Sequence, residues 1–232
     1  MPSARPEGIS AKVIRPANVT LTFDNGPEPL VTPAVLDCLA RHNIRTTFFV
    51  MGRKAATPEG AALVRRASAE GHWIGNHTFS HQGPLGTLHP QVALRDFELA
   101  EQTLASLTAD GFSQPHRLFR PPGSGKLGKH LLHPAIMEKL KAGRYTCVLW
   151  NSVPGDFRDP HGWLERAVPD CQSRDWTLMA LHDLPNGAME HLDEFIVRLR
   201  GQGFHLTQEF PSDCLPMVDG VEVLPLDPYL SG

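Results

Sequence analysis

Several polar side chains stand directly behind short runs of β-branched and aromatic residues. Asp24 follows Val19 to Phe23, His77 follows HWIGN, Arg120 closes RLFR, Asp156 lies beyond YTCVLW, and His182 closes TLMALH. A carboxylate can take up a proton, an imidazole can give one up or hold a metal ion, and a guanidinium can fix a carboxylate in place. Together these groups have catalytic potential, provided the fold gathers them. His77 and His81 frame the run HTFSH. One helical turn there would put both imidazoles on one face, where they could grip one ion.

Other histidines carry less. His42, His89, His130, His133, His161, His191 and His205 have no such context and read as surface or structural residues, and His116 stays unassigned. The Gly-rich stretch Pro121 to Gly128 resembles a phosphate loop only superficially. A P-loop needs Gly five residues before its Gly-Lys and Ser or Thr after it, and Arg120 and Leu127 occupy those places. A nucleotide site is therefore excluded.

The elements that must position these groups alternate. VTLTF, TTFFV, HWIGN, RLFR, YTCVLW, TLMALH and FHL read as strands. A helix opens at Thr32-Pro33, with Thr32 expected as its cap, and another spans about Pro58 to Glu70 and stops at Gly71. From Pro90 the apolar residues Ala93, Leu94, Phe97, Ala100, Leu104 and Leu107 recur at three- and four-residue intervals, an amphipathic helix followed by Gly111. Further helices are expected near 134–142, 162–173 and 189–201. Alternation of this kind implies a parallel sheet with right-handed crossovers, either open or closed as a barrel. All strand ends then share one face, where active sites of such folds are built.

A chain of 232 residues with 41% hydrophobic and 20% charged residues can bury a core and is expected to form one domain. Its formal net charge of −3 gives no field that would hold a polyanion, so nucleic acid is not expected as a partner. No run approaches the roughly 20 apolar residues of a membrane span. The N-terminus lacks a continuous apolar signal region, so a cytoplasmic location is expected. Cys38, Cys147, Cys171 and Cys214 match neither a metal pair nor a disulfide framework and read as reduced thiols.

TFDNGP (Thr22 to Pro27), HTFSH (His77 to His81), FRPPG (Phe119 to Gly123), WNSVPGDF (Trp150 to Phe157) and LHD (Leu181 to Asp183) follow one another in an order and spacing that resembles the polysaccharide deacetylases. These form the NodB-homology family, carbohydrate esterase family 4. The resemblance implies a deformed (β/α)7 barrel in a single α/β domain over residues 18–207. Residues 1–17 would be an N-terminal arm, and 208–232 an irregular tail packed on the domain. It also implies a carbohydrate substrate and metal-assisted release of acetate from an N-acetylated sugar. The cation would be divalent, zinc ahead of cobalt, manganese or nickel.

By the same resemblance Asp24 is the base, His182 the acid, Arg120 the residue that orients the base, and Asp156 the one that holds the acid. His77 and His81 match two metal ligands, and Asn25 stands where the usual motif has a third, an Asp. An amide oxygen is neutral and a weaker donor, so weaker metal binding is expected. Gly123 and Phe157 fall on substrate and oxyanion positions. Gly123 replaces an aromatic residue, which would remove a wall of the groove; Val153 replaces an acid, which would cost Arg120 a partner. Two other readings remain open from the sequence: a hydrolase of a non-sugar amide or O-acetyl ester, and a carbohydrate-binding protein that has lost catalysis.

Overall fold

A computed structural model gives the structure of residues 17–107, 112 and 114–232. Residues 1–16 of the expected arm, and Gly111 behind the long helix, lie outside the described residues. The parallel strands are β1 (Asn18–Asp24), β2 (Thr47–Val50), β3 (Trp73–Asn76), β4 (Arg117–Phe119), β5 (Tyr145–Cys147), β6 (Trp176–His182) and β7 (His205–Leu206). Between them run α1 (Thr32–Arg41), α2 (Gly52–Ala55), α3 (Pro58–Ala69), α4 (Pro90–Leu107), α5 (Pro134–Ala142), α6 (Leu164–Gln172) and α7 (Leu192–Gly201). The sheet runs β6-β1-β2-β3-β4-β5, with β7 added at the start of β1. It curls until Ser152, just past β5, bridges Met179 of β6. This is a deformed (β/α)7 barrel.

Strand alternation divides the core. On β1 the outward residues Val19, Leu21 and Phe23 join Leu36, Leu39, Val64, Phe195 and Ile196 of the surrounding helices. The alternate residues Thr20, Thr22 and Asp24 are buried and polar. Phe49, Phe119, Trp150, Leu178 and Ala180 fall in a second apolar cluster. Each fully buried Leu or Phe contributes about 1.5–3 kcal/mol, so the apolar clusters hold the strands in register while a polar column leads toward the strand ends.

Helix starts mostly follow local chemistry. Thr57 accepts from Gly60 N at 3.0 Å and Pro58 occupies the first turn of α3. In α4 the buried residues include Ala93, Phe97, Ala100, Leu104 and Leu107, the expected stripe except for half-buried Leu94, joined by Asp96. Thr32 departs from expectation: Val31 is the cap of α1, with no side-chain capping bond. Tertiary structure recruits Thr32 instead, whose hydroxyl donates to Asp183 and accepts from Glu28 N.

The chain after residue 207 is also more regular than expected. Met217–Val218 forms β8, antiparallel to β5 at Cys147↔Met217, and hairpins with β9 (Val221–Glu222). The edge of β5 needs backbone partners, and Leu149 N donates to Cys214 O at 2.8 Å for the same reason. Among the described residues no helix is long and apolar enough to cross a membrane. All four cysteines are buried and unpaired, and burial pushes the thiols of Cys147, Cys171 and Cys214 up to about 12.

Candidate active site

A cavity of about 310 Å³ opens at the carboxyl ends of the strands, lined by Asp24, Asn25, His77, His81, Gly123 and His182 among others. Asp24 ends β1, and its carboxylate lies at the mouth of the polar column. Arg120, the residue after β4, is fully buried. It donates to Asp24 Oδ1 at 2.9 Å, Thr22 Oγ1 at 2.6 Å, Val148 O at 3.1 Å and Leu149 O at 3.0 Å. Its guanidinium also lies 4.1 Å from the centre of the Phe49 ring. Val153 therefore does not leave Arg120 short of partners, because two backbone carbonyls past β5 supply acceptors. Burial works against charge on Asp24, but Arg120, then His77 and His182, outweigh it and hold the carboxyl below its usual range.

The pair at the other side of the cavity is built the same way. Asp156 is fully buried and its Oδ2 accepts from His182 N at 2.7 Å, while Oδ1 lies 3.0 Å from His182 Nδ1. With Nδ1 committed to this carboxylate, Nε2 remains as the ring's other proton site. Burial disfavours the imidazolium, yet the hydrogen bond and charge of Asp156, helped by Asp24 and Asp183, raise the His182 pKa above its ordinary value. Phe157 packs edge-on against the His182 ring, centroids 4.9 Å apart.

The HTFSH segment is not a helical turn. Thr78 and His81 both have left-handed backbone, φ 63° and 54°. The loop is wound by side chains instead: Asn76 Oδ1 accepts from Thr78 N at 2.7 Å, and Asp96 Oδ1 accepts from Ser80 N at 3.0 Å and Ser80 Oγ at 2.5 Å. Phe79 N adds a 3.0 Å bond to Asp96 O. The outcome expected of a helix is reached by another route, with the rings of His77 and His81 5.1 Å apart. His77 Nδ1 donates to Arg120 O at 2.8 Å, so Nε2 keeps its lone pair, 3.9 Å from Asp24 Oδ2. Burial lowers the pKa of both, that of His77 to about 3, which keeps the imidazoles neutral as metal ligands must be.

Asn25 Oδ1 is buried with no hydrogen-bond partner among the described residues. An orphaned amide oxygen beside two neutral imidazoles is a donor set that a borderline divalent ion fits. The backbone of Asn25 has φ 72°, a conformation that Asn and Asp adopt more readily than other non-glycine residues. Behind it, a Cβ on Gly26 would lie 2.2 Å from Asp183 Oδ2, so the loop sits directly on this carboxyl. Burial pushes Asp183 up to about 7, partly offset by Thr32. Another donor group, Cys38, His42 and Asp193, lies between α1 and α7 and does not line the cavity. Arg41 and His42 both bond Asp193 Oδ1, at 3.1 and 2.9 Å, as a surface ion-pair cluster does.

Gly123 lines the cavity, and among the described residues its N–H donates to no backbone carbonyl. The expected gap in the wall is absent. A Cβ at Gly123 would lie 2.3 Å from Trp150 Cη2 and 2.7 Å from Leu131 Cδ2, so Trp150, three residues past the end of β5, fills that space. Sequence reading missed Asp96, Thr22, Asn76 and Asp183. Asp96 left one signal, a charge within the apolar stripe of α4; Thr22 and Asn76 left none, because ordinary strand residues become functional only through their neighbours. A larger hollow of about 360 Å³, beside Glu101, Gln114 and His116, gathers no comparable set.

Residues 12–135 match the sequence profile of the family described as Polysaccharide deacetylase. A peptidoglycan-N-acetylglucosamine deacetylase of Bacillus cereus is 49% identical over 193 residues, 81% of this chain and 65% of that protein. PgdA of Listeria monocytogenes, a peptidoglycan-N-acetylglucosamine deacetylase, is 27% identical over 202 residues, 86% of this chain. The match spans only 39% of the length of PgdA. Among solved structures, the peptidoglycan deacetylase PdaC of Bacillus subtilis superposes with a TM-score of 0.68 at 26% identity, covering 83% of this chain and 88% of that one.

Proposed function

The chain belongs to the polysaccharide deacetylase family, and from that premise we propose that it hydrolyses the acetamide of an N-acetylated glycan, releasing acetate. One observation carries the reading: Asp24 and His182, each held by a buried partner of opposite charge, line the same cavity as His77, His81 and Asn25. These last three residues would hold a divalent cation, with zinc the best match to two imidazoles and an oxygen. When bound, such an ion supplies Lewis acidity that polarises the acetyl carbonyl and acidifies water.

The protein's own groups divide the remaining work. Asp24, a carboxylate held in place by Arg120, accepts a proton from the attacking water. Gly123 N–H donates to the carbonyl oxygen as negative charge grows there, a contribution of about 3–4 kcal/mol in comparable sites. His182, whose protonated form Asp156 favours, gives its proton to the leaving amine nitrogen. Acid and base thus hold different protonation states at one pH because each has its own partner. Phe157 and Trp150 wall the sugar side. Acetate release from N-acetylglucosamine oligomers by zinc-loaded protein, lowered at least about a hundredfold in Asp24→Asn of unchanged melting temperature, tests the proposal; equal release by the variant overturns it.

A further inference from the structure

The cavity mouth carries a cation with no counterpart. Arg158 is exposed, lines the cavity, and stacks its guanidinium 4.9 Å from the centre of the Phe157 ring. Nearby acids are already committed. Asp159, the next residue, accepts from Arg166 at 2.8 Å and from Gly162 N at 3.0 Å, and Asp156 serves His182. Among the described residues Arg158 makes no ion pair. Among the described residues the only carboxylate lining the cavity is Asp24, whose charge Arg120 already balances, while positions 25 and 153 hold a neutral amide and an alkyl group. The mouth is therefore positive, and Phe157 links the cation to the site, since its ring meets both the Arg158 guanidinium and the ring of His182, each with 4.9 Å to its centre.

We infer that the substrate carries an oxyanion group, a carboxylate or a phosphate, next to the N-acetylated sugar ring, and that Arg158 recognises it. A planar guanidinium fixed by stacking can meet either group through two parallel N–H bonds, with little further loss of freedom on binding. This deepens the deacetylation reading above and rests on it.

The test compares wild type with Arg158→Ala, Arg158→Lys and Arg158→Glu in zinc-loaded protein. Three substrates are used: a neutral N-acetylglucosamine oligosaccharide, an oligosaccharide of equal length containing N-acetylmuramic acid, and N-acetylglucosamine 1-phosphate. The ratio of kcat/KM for an anionic over the neutral substrate is expected to fall about tenfold in Arg158→Ala and further in Arg158→Glu, with partial recovery in Arg158→Lys. A fall confined to the muramic arm or to the phosphate arm identifies the carboxylate or the phosphate as the source. An unchanged ratio in all three variants overturns the inference and leaves deacetylation standing. Should wild type release acetate from none of the substrates, deacetylation fails, and calorimetric titration of the two anionic sugars decides the rest. Binding about tenfold weaker in Arg158→Ala supports anion recognition, and equal binding overturns it.

Discussion

The two halves of the cavity are built on opposite terms. Its floor, made of Asp24, His77, Arg120 and Asp156, is buried, and each charge is met by a group from another strand end. Its rim is half-buried at Val153 and Phe157 and open at Ser124, Gly125 and Arg158. In the floor, low polarity makes every unpaired charge costly, so geometry and protonation are fixed together by the fold. On the rim water satisfies what the protein does not, and side chains can change with little penalty. Chemistry is set below, and the choice of substrate above.

The largest effects should follow from breaking the floor. Asp24→Asn keeps an acceptor for Arg120 but loses the base, and kcat should fall about 10²–10⁴-fold with folding intact. Arg120→Leu instead strands the Asp24 carboxylate among apolar neighbours and should cost about 3–5 kcal/mol, read as a lower denaturation midpoint. If Arg120→Leu leaves stability unchanged, Asp24 is not the buried, paired charge described above.

Next in size is the acid side. With Asp156→Asn the hydrogen bond survives in part but the charge is gone, so kcat should fall about 10²-fold at neutral pH. The pH profile carries the diagnosis. His182 must be protonated to act, and its pKa is raised, so activity is lost as pH climbs through that value; Asp156→Asn should move this alkaline limb to lower pH. For stability the sign agrees. The raised value makes His182 stabilising while protonated, a contribution present below the ordinary imidazole range and lost as pH rises through the folded value. The acid limb, set by Asp24, lies below the usual carboxylate range and should stay where it is. An unmoved alkaline limb would show that Asp156 does not tune the acid.

Much of this was legible in sequence. Strands with β-branched runs, the α4 stripe and the residues behind each strand depend on local pattern, and β1, α3, α4 and α5 fall where the pattern puts them. What escaped depends on contacts between distant residues. A helical turn at HTFSH is one way to bring its two histidines together, but the loop uses two left-handed residues, which leave no mark in periodicity, and Asp96, 16 residues past Ser80, winds it. Val148 and Leu149 replace a missing acid with backbone carbonyls, which any residue type would supply. Trp150 fills the wall at Gly123 with its indole from the segment after β5, a contact between residues 27 apart in the chain.

Asp96 tests whether the floor extends outward to α4. Asp96→Ala removes the acceptor of both Ser80 bonds, and His81 should lose its fixed orientation. Supports of this kind commonly alter metal affinity by about 10–100-fold, so zinc titration of the variant should show weakening in that range. Affinity equal to wild type would mean that the Asp96 carboxylate is dispensable and that the bonds of Asn76 and Thr78, with the backbone bonds of Thr78 and Phe79, hold the loop.

The smallest effect separates rim from floor at one residue. Phe157 belongs to the rim by exposure, yet its ring touches His182. An edge-on aromatic contact is worth about 0.5–1.5 kcal/mol, so Phe157→Leu should cost a few-fold to about tenfold overall. A rim residue should spend that loss on KM, since sugar and Arg158 both lean on its face, leaving kcat and the alkaline limb in place. If kcat falls instead and the alkaline limb moves, the ring helps set the state of His182. The floor then reaches the surface at Phe157, and substrate choice and proton transfer share a residue.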